Sequence, residues 1–234
     1  MKKLLLISGA LIMALFGSSC KRTVHGEGPV INDKRNIEKI NEIELSIPAN
    51  LTLITADSFG CIIGAQQNIA NAIKTKVSGD ELKIESDNNL EPEKSIDLVI
   101  ALPHLKNLTV NGSGVVNGLN TINEEEVAIE LNGSGSIRLA VKTEELKCEI
   151  NGSGAITFSG KGNKIRSSIN GSGDLHAYQF DAEQGRVDIS GSGDAELNVS
   201  DELKAEINGS GNVHYHGNPH VKTDVNGSGV VQKE

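Results

Sequence analysis

The chain has 234 residues, a formal net charge of −9 at pH 7 and a pI near 5.2. An acidic chain without a basic stripe argues against a nucleic-acid-binding protein. Aromatic residues make up only 3% and Trp is absent, which disfavours sugar-stacking platforms and large hot-spot interfaces and suits a narrow core of Val, Ile and Leu.

The first residues have the pattern of a secretory signal. Met1-Lys2-Lys3 is basic, and residues 4–16 are an apolar run too short to span a bilayer. The run ends in Gly17-Ser18-Ser19-Cys20, which resembles a bacterial lipobox except that Gly17 stands where a larger apolar residue is usual. We therefore expect residues 1–19 to be a lipoprotein signal peptide, with Cys20 acylated at the new N-terminus. Cleavage by ordinary signal peptidase near the same place is the alternative.

Residues 20–29 are polar with two glycines and a proline, so we interpret them as a tether before a single domain over residues 30–234. Alternation of apolar and polar residues predicts strands over 43–47 and 51–55. Ile37, Ile40 and Ile43 fit one helical turn equally well.

Further along the chain, residues 66–74 are the least strand-like and predict a short helix or a loop. Ser78-Gly79-Asp80 between two apolar alternations indicates a hairpin turn. Residues 88–94 are polar and contain Pro92, which favours a loop, and residues 96–102 favour a strand.

From residue 108 onward a tetrapeptide, Asn-Gly-Ser-Gly, returns at a nearly fixed period. Seven copies are separated by 21, 19, 19, 20, 18 and 18 residues. They begin at Asn111, Asn132, Asn151, Asn170, Ser190, Asn208 and Asn226, and the copy at Ser190 reads Ser-Gly-Ser-Gly. A fixed period of about 20 residues is typical of solenoid proteins.

Both sides of each copy alternate between apolar and polar residues. The residue before it is branched and apolar in every copy: Val110, Leu131, Ile150, Ile169, Ile189, Ile207 and Val225. The second residue after it is also apolar: Val116, Ile137, Ile156, Leu175, Ala195, Val213 and Val231. Period-2 alternation predicts half-buried strands that meet at a tight glycine corner.

A unit of 18–21 residues has room for one coil of a parallel β-helix. Stacked coils place like residues above like, about 4.8 Å apart, so the corner asparagines are expected to form a ladder of amide hydrogen bonds. A ladder of antiparallel hairpins would also use glycine corners, but it would not need units of constant length.

The outward residues before each corner form a basic column beside an acidic one. We predict four neutralising pairs along the strands: Lys147 with Glu149, Arg186 with Asp188, Lys204 with Glu206, and Lys222 with Asp224. Each exposed pair contributes only about 0 to 1 kcal/mol, so this face is interpreted as controlling register and not as a binding patch. Cys61 and Cys148 are predicted to be buried free thiols, with a disulfide between them as the alternative.

The repeated Gly-Ser-Gly corners, the Asp after some of them (Asp174 and Asp194), the stretch Tyr215-His216-Gly217-Asn218-Pro219 and the final Asn226-Gly227-Ser228-Gly229 resemble the bacterial head GIN domain family, described as auto-transporter adhesins. The resemblance implies an all-β fold, a single-stranded right-handed parallel β-helix, here of about ten coils. It also implies a secreted or lipid-anchored protein.

No pattern of an active site, a cofactor or a metal centre stands out. The glycine corners lack the helix and single occurrence of a nucleotide loop, and the neutralised columns leave no acidic pocket for a polysaccharide lyase. His176, Glu196 and His214 line up on consecutive coils, but outward histidines are usually solvated. We expect a non-enzymatic protein without a cofactor.

The expected function is that of an adhesin or binding scaffold in the outer membrane, on the cell surface or the periplasmic side. Its partner would be an extracellular or envelope protein or glycan, with a membrane contacted only through the lipid, and bare coil ends invite self-association. The alternatives are a polysaccharide-binding or polysaccharide-cleaving module and a structural spacer. The least self-neutralised outward column is the expected binding face: Arg138, Thr157, His176, Glu196 and His214.

Overall fold

The structure is a computed structural model and describes residues 22–234. The expected signal peptide, residues 1–19, and the expected lipid attachment site, Cys20, lie outside the described residues. Almost all of the secondary structure is β-strand. The elements of the first half are β1 Thr23–His25, β2 Val30–Arg35, β3 Glu42–Leu45, β4 Asn50–Thr55, β5 Gly60–Gln66, α1 Gln67–Ala72, β6 Lys74–Ser78, β7 Glu81–Glu85, β8 Asn89–Glu91 and β9 Asp97–Leu102.

In the second half every strand continues the same winding. The strands are β10 Asn107–Gly112, β11 Val115–Gly118, β12 Ile122–Asn123, β13 Glu126–Gly133, β14 Ser136–Gly152, β15 Ala155–Gly171, β16 Asp174–Gly191, β17 Ala195–Gly209, β18 Asn212–His216, β19 His220–Gly227 and β20 Val230–Lys233. Within residues 22–234 no helix has the length and hydrophobicity needed to cross a bilayer.

The second half is a parallel β-solenoid in which equivalent positions of successive repeats stack in register. Asn111 pairs with Asn132, Asn132 with Asn151, and Asn151 with Asn170, all in parallel ladders. We use the term rung for the strand residues of one coil. The outward surface of the strands before each corner is called face A, and that of the strands after each corner is called face B. The parallel β-helix prediction is confirmed.

Seven turns carry the repeated corner, so the prediction of about ten coils was too high. Before residue 107, the order of the strands in the stack differs from their order in the sequence. Strand β3 lies between β7 and β10, and β4 lies between β9 and β11. Two irregular rungs, β3 with β4 and β7 with β9, thus extend the stack. Other residues of the first half cover the end of the stack.

That cover consists of antiparallel strands and helix α1. Strand β5 pairs antiparallel with both β2 and β9, and β6 forms an antiparallel hairpin with β7. Helix α1 buries Ile69 and Ala70 and lies against β1, β2 and β5. Strands of opposite direction satisfy the backbone groups of the outermost rung, which would otherwise form an open edge.

Several local expectations for the first half can be compared with this cover. The hairpin at Ser78-Gly79-Asp80 and the short helix within 66–74 are present. Ile37, Ile40 and Ile43 are all buried, but no helix forms there. Within the expected tether, Thr23–His25 pairs in parallel with β8, a strand inside the stretch expected to be a loop.

The corner is compact because the chain turns directly on the corner of the preceding rung. Gly152 has a φ of 133°, and a Cβ there would lie 2.4 Å from the carbonyl oxygen of Gly133. The next residue, Ser153, donates its N–H to that same oxygen at 2.9 Å. The first glycine of the corner is therefore required for two reasons. Its φ is positive, and its backbone lies too close to the preceding rung to leave room for a Cβ.

The core is a continuous column of aliphatic side chains with two phenylalanines. The residues predicted to point inward are buried in the first six repeats, whereas in the last repeat Val225 is 38% exposed. No rung covers the outer side of that last coil within the described chain, which explains the exception. Cys61 and Cys148 are free and buried, as predicted, and burial raises the pKa of the Cys61 thiol to about 11.

Candidate binding face

The predicted binding column on face B is a straight row of side chains. Arg138 pairs with Thr157, Thr157 with His176, His176 with Glu196, and Glu196 with His214, in parallel register. The five side chains therefore follow the solenoid axis with a spacing of about 4.8 Å. Their alignment agrees with the sequence analysis, and their role in binding stays a prediction.

The C-terminal end of this column is engaged in internal contacts. The ring nitrogen Nδ1 of His176 lies 2.8 Å from Glu196 Oε2, and Nδ1 of His214 lies 2.9 Å from Glu234 Oε1. Gln232 Nε2 lies 3.3 Å from the same His214 nitrogen. These groups contact one another, so they are poorly available to a partner.

The N-terminal end of the column is different. Within residues 22–234, the side chains of Arg138 and Thr157 form no hydrogen bond or ion pair with the protein. Arg138 is exposed and Thr157 is half-buried. The free hydrogen-bonding capacity of the column is concentrated in these two residues.

A bulge beside the column positions an aromatic pair that the sequence analysis missed. The register between β15 and β16 shifts after Thr157, which pushes Tyr178 out of the ladder. Its ring stacks on His216 with centroids 4.1 Å apart and an interplanar angle of 9°. Burial, followed by the charge of Glu234, raises the pKa of Tyr178 to about 12. The sequence does contain a signal for this bulge. The repeat from Asn170 to Ser190 is 20 residues long, one residue longer than the repeat before it.

Face A carries the predicted amide ladder over four rungs. Nδ2 of Asn132 donates to Asn111 Oδ1 at 3.0 Å, and the next two steps, Asn151 to Asn132 and Asn170 to Asn151, are 2.9 Å each. Asn132 and Asn151 also donate to the glutamate two positions earlier in the same strand, at 2.7 Å to Glu130 and 2.9 Å to Glu149. Carboxylates of the acidic column therefore accept hydrogen bonds from the asparagine ladder as well as forming ion pairs with the cations.

Two of the four predicted ion pairs on face A are confirmed. Arg186 binds Asp188 at 2.9 Å, and Lys204 binds Glu206 at 2.5 Å. The other two predictions were wrong, because the lysines reach a carboxylate on the preceding rung instead. These pairs are Lys147 with Glu126 and Lys222 with Glu202.

The glutamate beside Lys147 illustrates why: Glu149 is already bonded to Asn151. Arg166 also pairs across rungs, with Glu145 at 2.5 Å. All five cations of this column are thus neutralised locally, and face A offers few free charges to a partner.

The amide ladder should contribute measurably to stability. Replacing Asn151 with alanine removes its bonds to Asn132 and Glu149 and leaves the amide of Asn170 without its acceptor. We expect the free energy of unfolding to fall by about 1–2 kcal/mol, because a half-exposed hydrogen bond contributes about 1 kcal/mol. Urea denaturation followed by circular dichroism measures this loss.

Asn226 is the matched control for Asn151. It occupies the same corner position in the last repeat, but its amide makes only a 3.4 Å contact with Asp224. Replacing Asn226 with alanine should change stability by less than about 0.5 kcal/mol. Equal losses for the two variants would contradict a stabilising ladder.

Two of the acidic residues that follow the corners have a structural use. Asp174 Oδ1 accepts the backbone N–H of Asp194 at 3.2 Å, and Asp194 Oδ1 accepts that of Asn212 at 2.8 Å. Within residues 22–234, no group of three or more His, Cys, Asp or Glu side chains is arranged to hold a metal ion. These carboxylates therefore act as links between rungs.

A long polar groove runs along the edge of the solenoid where face B turns into face A. Its volume is about 1460 Å³. Small residues such as Gly162 and Ala182 lie along it, and Lys142 and Lys161 stand on its face-B side. It extends from His104 near the first regular rung to Asn218 near the last.

Together, the stacked parallel rungs, the glycine corners and the exposed columns define the class of β-solenoid proteins with repeated surface faces. The model of the family described as "putative auto-transporter adhesin, head GIN domain" matches residues 39–219. The chain belongs to this family. No curated protein sequence matches it.

Solved structures with the same fold come from Bacteroides and Parabacteroides species. A putative adhesin from Bacteroides fragilis has a TM-score of 0.86 and 20% sequence identity, covering 90% of this chain and 100% of that one. A putative adhesin from Parabacteroides merdae has a TM-score of 0.73 and 22% identity, covering 91% and 99%. A putative lipid binding protein from Parabacteroides distasonis has a TM-score of 0.77 and 23% identity, covering 91% and 100%. At these identities the likeness establishes the fold alone.

Proposed function

We propose that the protein is a non-enzymatic cell-surface or envelope adhesin that uses face B as its contact surface. The family description supports the general class. The observation that carries the choice of face is the difference in pairing. The five cations of the basic column on face A are neutralised by neighbouring carboxylates, whereas Arg138 and Thr157 in the column on face B have no side-chain partner in the described chain.

A rigid solenoid suits this function, because each rung is hydrogen-bonded to its neighbours and the surface side chains keep fixed spacings. Ordering such a surface on binding costs little conformational entropy. The same rigidity would serve a structural spacer, so the function has to be tested through the surface and not through stability.

The proposal includes attachment of the mature chain to the outer membrane through Cys20, with residues 20–29 leading to the domain. Fractionation of cells that produce the Cys20→Ala variant should find the protein in the soluble envelope fraction instead of the membrane fraction. Protease treatment of intact cells should remove the wild-type protein if it is exposed outside. Protection from the protease would contradict a surface adhesin.

The contact surface can be tested with a matched pair of blocking substitutions. Thr157→Tyr places a bulky ring in the centre of face B, and Ser168→Tyr places the same ring on face A, where Ser168 is also half-buried. Beads coated with each purified variant are then tested for adhesion to host cells, mucus and the bacterial envelope. We expect Thr157→Tyr to reduce adhesion and Ser168→Tyr to leave it unchanged. Loss only with Ser168→Tyr, or with neither variant, would refute the choice of face B.

A further inference from the structure

Three cations on face B stand out because they have no carboxylate partner. Within residues 22–234, Arg138, Lys142 and Lys161 form no ion pair and no side-chain hydrogen bond. All three are exposed. On face A every cation of the corresponding column is paired. An unneutralised cluster in a chain of net charge −9 therefore has no evident role in holding the fold together.

The three cations occupy two neighbouring rungs in fixed register. Arg138 and Lys142 lie on the same side of β14, about 13 Å apart. Lys161 pairs directly with Lys142 in the parallel ladder, so their strands are about 4.8 Å apart. Like charges placed side by side in a sheet repel each other. A bound anion would relieve this repulsion.

Neutral hydrogen-bonding groups lie beside the cations. Thr157 is the ladder partner of Arg138, and Ser159 is that of Ala140, both on the outward side. Asn117 precedes Arg138 in the same column. Hydroxyl and amide groups between positive charges match a ligand that has both hydroxyls and anionic groups.

The nearest carboxylates of the groove are partly satisfied by other residues. Glu144 Oε2 accepts a hydrogen bond from Asn163 at 2.8 Å, and Asp181 Oδ1 accepts one from Asn198 at 2.7 Å. Asp181 is the strand partner of Lys161, but the two side chains form no ion pair. These carboxylates limit the positive region to two rungs, which disfavours a long polyphosphate such as a nucleic acid, whose many charges would meet the acidic part of the groove.

We propose that Arg138, Lys142 and Lys161 bind the carboxylates of an acidic polysaccharide that crosses these two rungs on face B and does not follow the acidic groove. This inference rests on the proposed adhesin function and names its ligand class. Uronic acid residues carry one carboxylate and several hydroxyls each, which corresponds to cations that have Thr157, Ser159 and Asn117 as neighbours. A single small anion would reach only one or two of the cations, so the chain polymer is favoured.

The test uses the purified full chain with polygalacturonate as the acidic probe and dextran as the neutral one. The variant Arg138→Gln/Lys142→Gln/Lys161→Gln is compared with Lys147→Gln/Arg166→Gln/Lys204→Gln on face A, which changes the net charge by the same amount. The thermal midpoint of each variant is measured first, so that binding is compared only between folded proteins.

We expect polygalacturonate to bind the wild type and dextran not to bind. The face-B variant should lose roughly tenfold or more in affinity, as expected for lost charge-assisted hydrogen bonds, and its binding should depend less on salt. The face-A variant should bind nearly as well as the wild type. Equal losses in the two variants would mean a general charge effect and would overturn the proposal, as would equal binding of dextran.

The same variants separate this inference from the proposed function. If adhesion is lost with Thr157→Tyr but survives in the face-B glutamine variant, face B is the contact surface and its ligand is not an acidic polysaccharide. If vesicles containing phosphatidylglycerol bind in place of polygalacturonate, and the face-B variant abolishes that binding, the ligand is an anionic membrane and the inference is wrong.

Discussion

Replacing Gly152 with alanine is expected to destabilise the solenoid by about 3–5 kcal/mol, near the upper end for a single substitution. The residue has a φ of 133°, so any side chain strains the backbone, at a cost of about 1–3 kcal/mol. In addition, the new Cβ would lie 2.4 Å from the carbonyl oxygen of Gly133. That oxygen cannot move away without losing the hydrogen bond from Ser153. Equilibrium denaturation in urea measures the loss.

The first copy of the corner supplies a control that separates the two causes. Gly112 also has a positive φ, 102°, but a Cβ there would have no atom within 4 Å. The rung below it, formed by β3 and β4, has no glycine corner against which it could press. Gly112→Ala should therefore cost only the strain, about 1–3 kcal/mol. If both variants lose the same amount, the close approach between rungs adds nothing, and the explanation of the repeated glycine is wrong.

The regular half of the fold could be predicted because its information is local and repeated. Val110, Leu131 and Ile150 recur at the same place relative to a glycine corner, and seven copies exclude coincidence. Stacking like on like then follows from the period, and so does the asparagine ladder. The last coil departs from the pattern only because no further rung buries Val225 in the described chain.

The cover over the first rungs could not be predicted in the same way. The placement of β3 between β7 and β10 depends on pairings between residues far apart in sequence, such as Leu45 with Val110. Alternation alone marks these segments as strands without saying which neighbour each one takes. Ile37 and Ile40 show the same difficulty, because they are buried by the cover without belonging to any regular element.

The ion pairs of the charged columns could be predicted from the sequence only in part. Sequence spacing places Lys147 two residues from Glu149, but neighbouring rungs are closer, about 4.8 Å, than residues i and i+2 along a strand, about 6.6 Å. A flexible lysine therefore finds carboxylates in both directions, and the competing bond from Asn151 to Glu149 decides the outcome. For the binding column the register was predictable, but the internal contact of His214 depends on Glu234, which the repeat pattern does not include.

The second large effect is expected in the core, where Phe158 is replaced with alanine. Phe158 is completely buried, and its ring packs against Phe180 with centroids 6.5 Å apart and an interplanar angle of 58°. The substitution removes most of a large side chain from a core made mainly of aliphatic residues, and the hydrogen-bonded rungs on both sides prevent collapse into the space. We expect a loss of about 3–5 kcal/mol in the free energy of unfolding.

Phe59 is the control for Phe158, because it is 37% exposed and lies outside the core. Phe59→Ala should cost less than about 1 kcal/mol, and Phe158→Leu should cost less than Phe158→Ala because it leaves a smaller cavity. Each rung contacts mainly its neighbours, so a cavity at Phe158 should also weaken the coupling between the coils on either side. Hydrogen exchange of the backbone amides tests this, with faster exchange expected first in β14, β15 and β16. Unchanged exchange there, together with a loss below 1 kcal/mol, would show that the core relaxes around the cavity and that the stacked strands are less rigid than their hydrogen bonding indicates.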